Sequence, residues 1–287
     1  MSTALDAALC LLLVSAGAVT VVTHAGSGGP DRASVDHADA VADTLATSTA
    51  TVNYTLAPGL DGATSPEFER TAHGTLAELL SEAAVSRVAV DGRRVTHAGD
   101  DFDRAVRRRV RGATGTNRTG ARVTHAQVVV VWRPYSGAHV RSRTVVGESP
   151  AQTATVRAAT LTAPSGVPAA RSDALAAASD GFGAVARVVA TRLIEGLVPP
   201  DSARFALRGD YPVSALMRAR YRRLGSIYDA NVSAAVTGGD ARAANRRLER
   251  AAAGRIEDDL RSEYDTPEAA ARALRLDRVR IVVRTWS

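Results

Sequence analysis

The sequence contains no lysine, so all 36 of its basic residues are arginine. Without lysine the chain cannot form a P-loop or a Ser-x-x-Lys nucleophile, and it also lacks the Gly-x-Ser-x-Gly and His-Glu-x-x-His motifs. Its single cysteine, Cys10, excludes a disulfide within the chain and a zinc site built from cysteines. Aromatic residues make up only 4% of the chain, so its core must consist mainly of alanine, valine and leucine. We therefore expect a protein that is not an enzyme and uses no metal.

A cofactor site is also not expected, although one glycine pattern resembles a dinucleotide loop. Gly181 to Ala186 fits the pattern Gly-x-Gly-x-x-Ala, which needs a strand before it and a helix after it. The residues before Gly181 are rich in alanine and favour a helix, so the pattern lacks its structural context.

The one long uncharged run lies near the start of the sequence, from Ala7 to Thr23. As a helix this run spans about 25 Å, and Leu5 extends it toward the ~30 Å of a bilayer's hydrocarbon core. We therefore predict a transmembrane anchor helix within residues 1–25. A cleaved export signal is the alternative, because Thr23-His24-Ala25 is an acceptable cleavage site, although no basic residue precedes the run.

The charges after this run predict that the bulk of the chain lies outside the cell. Between His24 and Pro66 the only basic residue is Arg32, whereas five aspartates are present, and such a flank favours translocation. Three Asn-x-Ser/Thr triplets, at Asn53, Asn117 and Asn231, are possible glycosylation sites and agree with that location. We expect a single-pass cell-membrane protein with a cytoplasmic N-terminus and an extracytoplasmic domain.

The rest of the sequence predicts an α+β fold. Residues 26–49 contain an amphipathic stalk helix, and residues 50–287 form the extracytoplasmic domain. That domain is expected to hold a mainly antiparallel sheet, with a hairpin around Asp91-Gly92, and a helix from Pro66 to Ala84. Its C-terminal half is expected to be helical over residues 171–264 and closed by a final strand over Asp277 to Trp286 that returns to the earlier sheet.

The head of the chain resembles type IV pilin-like and pseudopilin-like subunits. If Met1 is removed, Asp6 becomes the fifth residue and stands directly before the apolar helix. The resemblance implies that Asp6 neutralises the terminal amine of an adjacent subunit during assembly. The small residues Ser15, Ala16, Gly17 and Ala18 permit close packing of such helices.

The whole chain also resembles uncharacterised haloarchaeal membrane-anchored proteins that are associated with archaeal pilus or type II-like secretion gene clusters. This second resemblance covers the apolar head, the Ala/Arg-rich body and the terminal RVRIVVRTWS.

A basic helix is the second candidate site. The stretch DDFDRAVRRRVR carries Arg104, Arg107, Arg108, Arg109 and Arg111 after three acids, in a chain of net charge +6 and pI 10.2. These arginines are candidates for contact with anionic lipid headgroups or with the acids of a neighbouring subunit. A solvated helix whose acids suit the helix dipole is the other interpretation. Nucleic acid is not expected as a partner, because the domain is predicted to lie outside the cell.

These observations lead to one preferred function and two alternatives. The preferred function is a non-enzymatic, membrane-anchored component of an archaeal surface pilus or secretion-like assembly, a minor pilin-like subunit. Its expected partners are other membrane or pilin-like subunits and the lipid bilayer. The first alternative is a membrane-tethered extracytoplasmic binding or sensor module, and the second is an exported hydrolase that begins at Gly26 after cleavage.

Overall fold

The computed structural model describes residues 20–22, 32–56, 68–115, 117–119 and 122–286 of the chain. The strands in these ranges are β1 (Thr20–Val22), β2 (Thr49–Thr55), β3 (Glu69–Thr75), β4 (Ala89–Val90), β5 (Arg93–Arg94), β6 (Asn117–Thr119), β7 (Arg122–Trp132), β8 (Val140–Val146), β9 (Arg157–Pro164) and β10 (Arg278–Trp286). The helices in the same ranges are α1 (Arg32–Thr47), α2 (Leu76–Ser86), α3 (Asp100–Thr114), α4 (Arg171–Ala177), α5 (Phe182–Leu197), α6 (Pro200–Arg208), α7 (Val213–Tyr228), α8 (Ser233–Thr237), α9 (Ala241–Glu263) and α10 (Pro267–Ala273). The protein is α+β, with antiparallel sheets and helices.

The main sheet is antiparallel throughout. Its strands follow the order β1-β9-β10-β7-β8-β4-β5, and β6 pairs with β7. Strand β10 follows the helical segment in the sequence but lies between β9 and β7 and pairs with both. Strands β2 and β3 form a separate two-stranded sheet. The turn between β4 and β5 has φ of 47° at Asp91 and 76° at Gly92, which confirms the predicted hairpin.

Helices α1, α2 and α3 cover one face of the main sheet. The strands beneath them alternate, as a half-buried sheet requires. In β10, Val279, Ile281 and Val283 are fully buried, whereas the arginines between and beside them are exposed. Burying one such aliphatic side chain contributes about 1.5–3 kcal/mol. The core of this part of the molecule therefore lies between the sheet and the three helices.

The helical segment from α4 to α10 has a different interior, in which alanine predominates. Helix α9 packs along α5 and buries one stripe at helical spacing. The stripe consists of Ala241, Ala244, Asn245, Leu248, Ala252, Ile256 and Leu260. Asp240 begins the helix, because its carboxylate accepts a hydrogen bond from the Ala243 N–H at 2.9 Å.

One polar contact stabilises the interior of this segment. The Tyr221 hydroxyl donates a hydrogen bond to Asn245 Oδ1 at 2.7 Å, and Asn245 Nδ2 donates to the Val198 carbonyl at 2.8 Å. Both side chains are buried, so each finds the partner that a buried polar group requires.

A group of polar side chains, here called the junction cluster, joins the main sheet to the helical segment. It consists of Tyr135 and His139 after β7, Tyr228 of α7 and Asp259 of α9. Asp259 Oδ2 accepts hydrogen bonds from the Tyr135 hydroxyl at 2.9 Å and from the His139 N–H at 3.0 Å, and it lies 2.5 Å from His139 Nδ1. Because Nδ1 faces a carboxylate, we place the imidazole proton there, which leaves Nε2 to accept from the Tyr228 hydroxyl at 3.4 Å.

The structure contradicts the predicted N-terminal transmembrane helix. The predicted fold, which includes that helix, is wrong in this respect. Thr20–Val22, inside the expected helix, form β1 and pair antiparallel with β9. The local sequence Val19-Thr-Val-Val-Thr23 is β-branched throughout, and such residues favour strands. Among the described residues no helix combines the length and the apolar character needed to cross a bilayer. The predicted single-pass membrane location is corrected by the same finding, and residues 1–19 lie outside the described residues.

Helix α1 lies within residues 26–49, where the stalk helix is predicted, and it packs against β9 and β10. The predicted boundaries of anchor, stalk and domain are otherwise not tested and stay predictions.

The predicted helix from Pro66 to Ala84 is wrong in its first part. Residues Glu69–Thr75 form β3 and pair along their full length with β2, and the helix begins only at Leu76. A capping box fixes that start: Thr75 Oγ1 accepts from the Glu78 N–H at 3.2 Å, and the Thr75 N–H donates to Glu78 Oε2 at 2.9 Å. Strand pairing therefore outweighs the helical pattern before Thr75.

Candidate binding cleft

A polar cleft lies between the open edge of β2 and helix α3, and it is here called the β2–α3 cleft. It consists of two adjoining cavities, of about 650 Å³ and about 300 Å³, which share Asn53. Among the described residues, the larger cavity is lined by Asn53, Tyr54, Thr55, Glu69, Arg70, Thr71 and Asp101. The smaller one is lined by Thr51, Val52, Asn53, Ala105, Arg108 and Arg109. Most of these side chains are polar, so the cleft suits a polar ligand.

The open edge of β2 supplies peptide groups to this cleft. The Thr55 N–H donates to Asp101 Oδ2 at 2.9 Å, so it points away from β3 and toward α3. Because alternate residues of a strand direct their peptide groups to the same side, Asn53 and Thr51 also face α3. The side chains agree with this register, since Thr71 Oγ1 donates to Asn53 Oδ1 and Thr51 Oγ1 lies against His73 Nδ1, both at 2.9 Å.

The arginines of α3 divide into two groups. Arg104 lies 3.3 Å from Asp101, and Arg107 lies 3.6 Å from the buried Asp103, so these two belong to ion pairs of the helix itself. Arg108 and Arg109, which line the smaller cavity, are exposed and have no acidic partner within the described part of the chain. The smaller cavity is therefore positively charged.

Of the two acids that line the larger cavity, Glu69 and Asp101, it is Asp101 that holds the cleft together. Asp101 Oδ2 accepts from the Thr55 N–H, and Asp101 Oδ1 accepts from Arg104. Oδ2 thus fixes the first turn of α3 against β2, whereas Oδ1 pairs within α3 itself. A glycoside hydrolase needs one carboxyl kept protonated beside a second carboxylate, and an acid bonded in this way is unsuited to that role.

A carboxyl group with a strongly shifted pKa is found elsewhere. Burial raises the pKa of Glu82, on α2, to about 8. Glu82 has no hydrogen bond or ion pair to any residue that the structure describes, and it does not line the β2–α3 cleft. The pKa of Glu82 is raised because burial removes water from its carboxyl group, and no catalytic partner accompanies it among the described residues.

The structure brings together some of the residues that the sequence singled out. Asn53, a predicted glycosylation site, is exposed and lies in the cleft beside Arg108 and Arg109, which were predicted to contact anions. Arg111 is exposed on the same helix. Asn231 is exposed but distant in the sequence, in the connection between α7 and α8, and Asn117 lies in β6. Asp6, Ser15, Ala16, Gly17 and Ala18 lie outside the described residues.

The junction cluster could not be predicted from the sequence. His139 and Asp259 are 120 residues apart and belong to no spaced motif. The cluster resembles an acid–histidine–hydroxyl arrangement, yet Tyr135 and Tyr228 are 3% and 5% exposed. Burial first, and then the charge of Asp259, raise the pKa of Tyr135 far above its usual range, and burial likewise raises the pKa of Tyr228 well above its usual range. These hydroxyls therefore stay protonated, and we interpret the cluster as a structural contact.

The observations so far define an α+β protein with a polar cleft that is basic at one end. The chain matches the model of a family of unknown function, DUF7284, over residues 5–286, and it belongs to that family. No curated protein and no solved structure matches the chain. The family description names no activity, so the function has to be argued from the geometry.

Proposed function

We propose that this protein is a non-enzymatic binding module that recognises an acidic segment of a partner protein in the β2–α3 cleft. The observation that carries the proposal is the pair Arg108 and Arg109, two exposed guanidinium groups that have no acidic partner among the described residues and that line a cavity against the open edge of β2. Arginine binds carboxylates through planar, paired hydrogen bonds, so this pair suits an acidic side chain.

The opposite wall supports a peptide as the occupant. Thr51 and Asn53 direct their peptide groups into the cleft, and an extended segment bonds to such groups through its own backbone. The larger cavity adds the side chains of Asn53, Thr55 and Thr71, which provide both donors and acceptors. Charge at one end and mixed hydrogen bonding at the other together favour an acidic peptide over a simple anion.

A direct binding measurement tests this proposal. A fluorescein-labelled ten-residue glutamate peptide is titrated with the full chain at low ionic strength, and fluorescence anisotropy is followed. We expect saturable binding that weakens with added salt, because exposed charge pairs are screened. Double reversal of Arg108→Glu and Arg109→Glu should weaken binding at least tenfold.

A matched control uses two exposed arginines far from the cleft. Arg187→Glu on α5 and Arg222→Glu on α7 change the net charge by the same amount. If both double variants lose affinity equally, the peptide senses only the net charge and the cleft is not the site. Competition by inorganic phosphate at equal charge would show that any anion suffices and would contradict the peptide.

The other functions predicted from the sequence stay predictions. A role in a pilus or secretion-like assembly depended on Asp6, which lies outside the described residues. The exported hydrolase, and the expectation that the protein is not an enzyme, are likewise not tested. No observation on the described residues favours a second function over binding in the cleft.

A further inference from the structure

The outer face of the main sheet carries a second group of arginines. On this face, opposite α1, α2 and α3, the side chains that alternate with the buried core point outward. We name Arg141 and Arg143 of β8 and Arg280 and Arg284 of β10 the arginine face. All four are exposed, and none has an acidic partner in the described part of the chain. Arg278, beside them, pairs with Asp277 at 3.1 Å.

Strand pairing brings these arginines into rows across the sheet. Arg280 is the register partner of Val131, and Val131 is the register partner of Arg143. In the next row, Val282 pairs with Val129 and Val129 with Val145. No outward position of β7 to β10 within the described residues holds a carboxylate. Val129 is 5% exposed, whereas Val145 and Val282 on either side of it are partly exposed. The face thus has a small apolar centre with arginines beside it, as protein interfaces have an apolar core and a polar rim.

A complementary acidic surface lies on the helical segment. Asp258, Glu263 and Asp265, here called the acidic corner, are exposed near the end of α9. Asp258 and Asp265 have no ion pair within the described residues, and Glu263 accepts only from Ser136. Residues 253–265 hold five acids and two arginines, whereas residues 241–252 hold four arginines and one acid.

This order of charges opposes the dipole of α9. Acids are favourable at the start of a helix and bases at its end, and α9 has the reverse arrangement. Asp259 and Glu257 have structural roles, in the junction cluster and in a pair with Arg261. Asp258 and Asp265 have none, and residues that break a local rule without compensation are often functional.

We propose that the arginine face of one copy binds the acidic corner of a second copy of this chain. The chain itself carries both surfaces, each exposed and each short of opposite charge, so a second copy supplies the complement without another partner. Electrostatic complementarity of this kind fixes the partner and the register, while the small apolar centre of the face provides apolar area. The inference uses residues outside the β2–α3 cleft and does not depend on the proposed function.

Charge reversal tests the pairing directly. Sedimentation velocity of the full chain at low salt should show a dimer or a larger species, which dissociates at about 0.5 M salt because exposed charges are screened. The face variant Arg143→Glu with Arg280→Glu should weaken self-association at least tenfold. The corner variant Asp258→Arg with Asp265→Arg should do the same.

The decisive sample is an equal mixture of the two variants. Each variant alone has two surfaces of like charge, whereas in the mixture the reversed face meets the reversed corner and each unchanged surface meets its unchanged complement. We expect the mixture to recover association. Circular dichroism of each variant verifies the fold, and Arg187→Glu with Arg222→Glu, which leaves both surfaces intact, should associate like the unmodified chain.

Three outcomes would overturn the proposal. One is a chain that stays monomeric at low salt and high concentration, and another is a mixture that fails to re-associate. The third is a monomer that binds an oligothymidine strand through its arginine face, because that surface would then be a nucleic-acid binding site. Arg108→Glu with Arg109→Glu should leave self-association unchanged, so failure of the cleft and failure of this interface are distinguishable.

Discussion

The sheet part of the molecule and its helical segment are built from different residues, and the difference determines how each can be perturbed. The sheet part buries valine more often than any other residue, and its strands β8, β9 and β10 alternate buried and outward side chains, with β10 in the middle. The helical segment buries alanine more often than any other residue, and it includes the polar pair Tyr221 and Asn245. The first should therefore depend on apolar volume, whereas the second should depend more on close helix approach and on hydrogen bonds.

The two parts share one continuous apolar core, and polar groups also join them. Besides the junction cluster, Asp91 of the β4–β5 turn pairs with Arg255 of α9, and Arg223 of α7 donates to the Arg94 carbonyl at 2.9 Å. Such contacts depend on geometry and on pH more than apolar packing does. Substitutions in each part, and in the contacts between them, should show whether the two parts unfold together.

The largest effect is expected in the centre of the sheet. Ile281→Ala should destabilise the protein by roughly 3–4 kcal/mol, because Ile281 is completely buried between β9 and β7 and leaves a cavity. Urea unfolding followed by the fluorescence of the buried Trp132 and by circular dichroism of the helices measures both parts. Coincident transitions indicate one cooperative unit, and a helical signal that survives loss of the Trp132 signal would separate the two parts.

The next effect concerns the junction cluster. Asp259→Asn removes the carboxylate that accepts from Tyr135 and His139, and we expect a loss of roughly 2–3 kcal/mol at neutral pH. Its exposed neighbour Asp258→Asn is the control and should change stability by less than about 0.5 kcal/mol at high salt. Equal losses in the two variants would show that the cluster contributes nothing specific.

The same contact predicts a dependence on acid. Burial raises the pKa of Asp259, but the hydrogen bonds and charge of His139, with the bond from Tyr135, outweigh burial and place it below its usual 3.8. Because the folded pKa is depressed, this stabilisation is present above the unfolded pKa and is lost as pH falls through the folded one. Thermal unfolding of the unmodified chain and of Asp259→Asn should therefore converge below about pH 4.

A smaller effect is expected at Glu82, where stability should fall as pH rises, the reverse of the dependence at Asp259. The unfolded carboxyl ionises near its usual value of 4.5, whereas the folded one stays protonated up to about pH 8. The unmodified chain therefore loses stability as pH rises from 4.5 to 8, and Glu82→Gln does not. By about pH 6 the variant should have gained on the order of 2 kcal/mol relative to the unmodified chain. The exposed Glu148→Gln should show no such gain. A stability difference between Glu82→Gln and the unmodified chain that does not vary with pH would contradict the raised pKa of Glu82.

The smallest effect is expected at the β4–β5 turn. Gly92 has φ of 76° and open space where a Cβ would lie, so Gly92→Ala incurs only the backbone cost of about 1 kcal/mol. Gly166→Ala, at φ of 75° with equally open space, serves as a comparison on the helical side of β9. A much larger loss at Gly92 would mean that the turn is coupled to Arg255 and hence to the helical segment.

The sequence predicted much of the fold where the pattern was local. The hairpin at Asp91-Gly92, the helix from Asp100 and the returning strand to Trp286 are all present, because turn residues, charged first turns and alternation are properties of neighbouring residues. Glu69–Thr75 could not be assigned in this way, since only pairing with β2 makes it a strand. Thr20–Val22 were assigned to a transmembrane helix because of their hydrophobicity, although their β-branched residues favour a strand.

The candidate site was predictable only in part. The arginines of α3 are visible in the sequence, but which of them are free depends on Asp101 and Asp103 in the folded helix. That Asn53 lies beside Arg108 follows from the approach of α3 to the edge of β2, a contact between distant segments. The arginine face needed the register of β10 with β7 and of β7 with β8, which no single segment specifies.

The position of β10 has a consequence for the protein during its synthesis. The strand between β9 and β7 leaves the ribosome only after the whole helical segment, so until then β9 and β7 each present an unpaired edge. The helices can form as they emerge, since their contacts are mostly local, whereas the sheet has to wait for its centre. A released chain that ends before Arg278 should therefore be helical but protease-sensitive, and a chain that includes β10 should be protected.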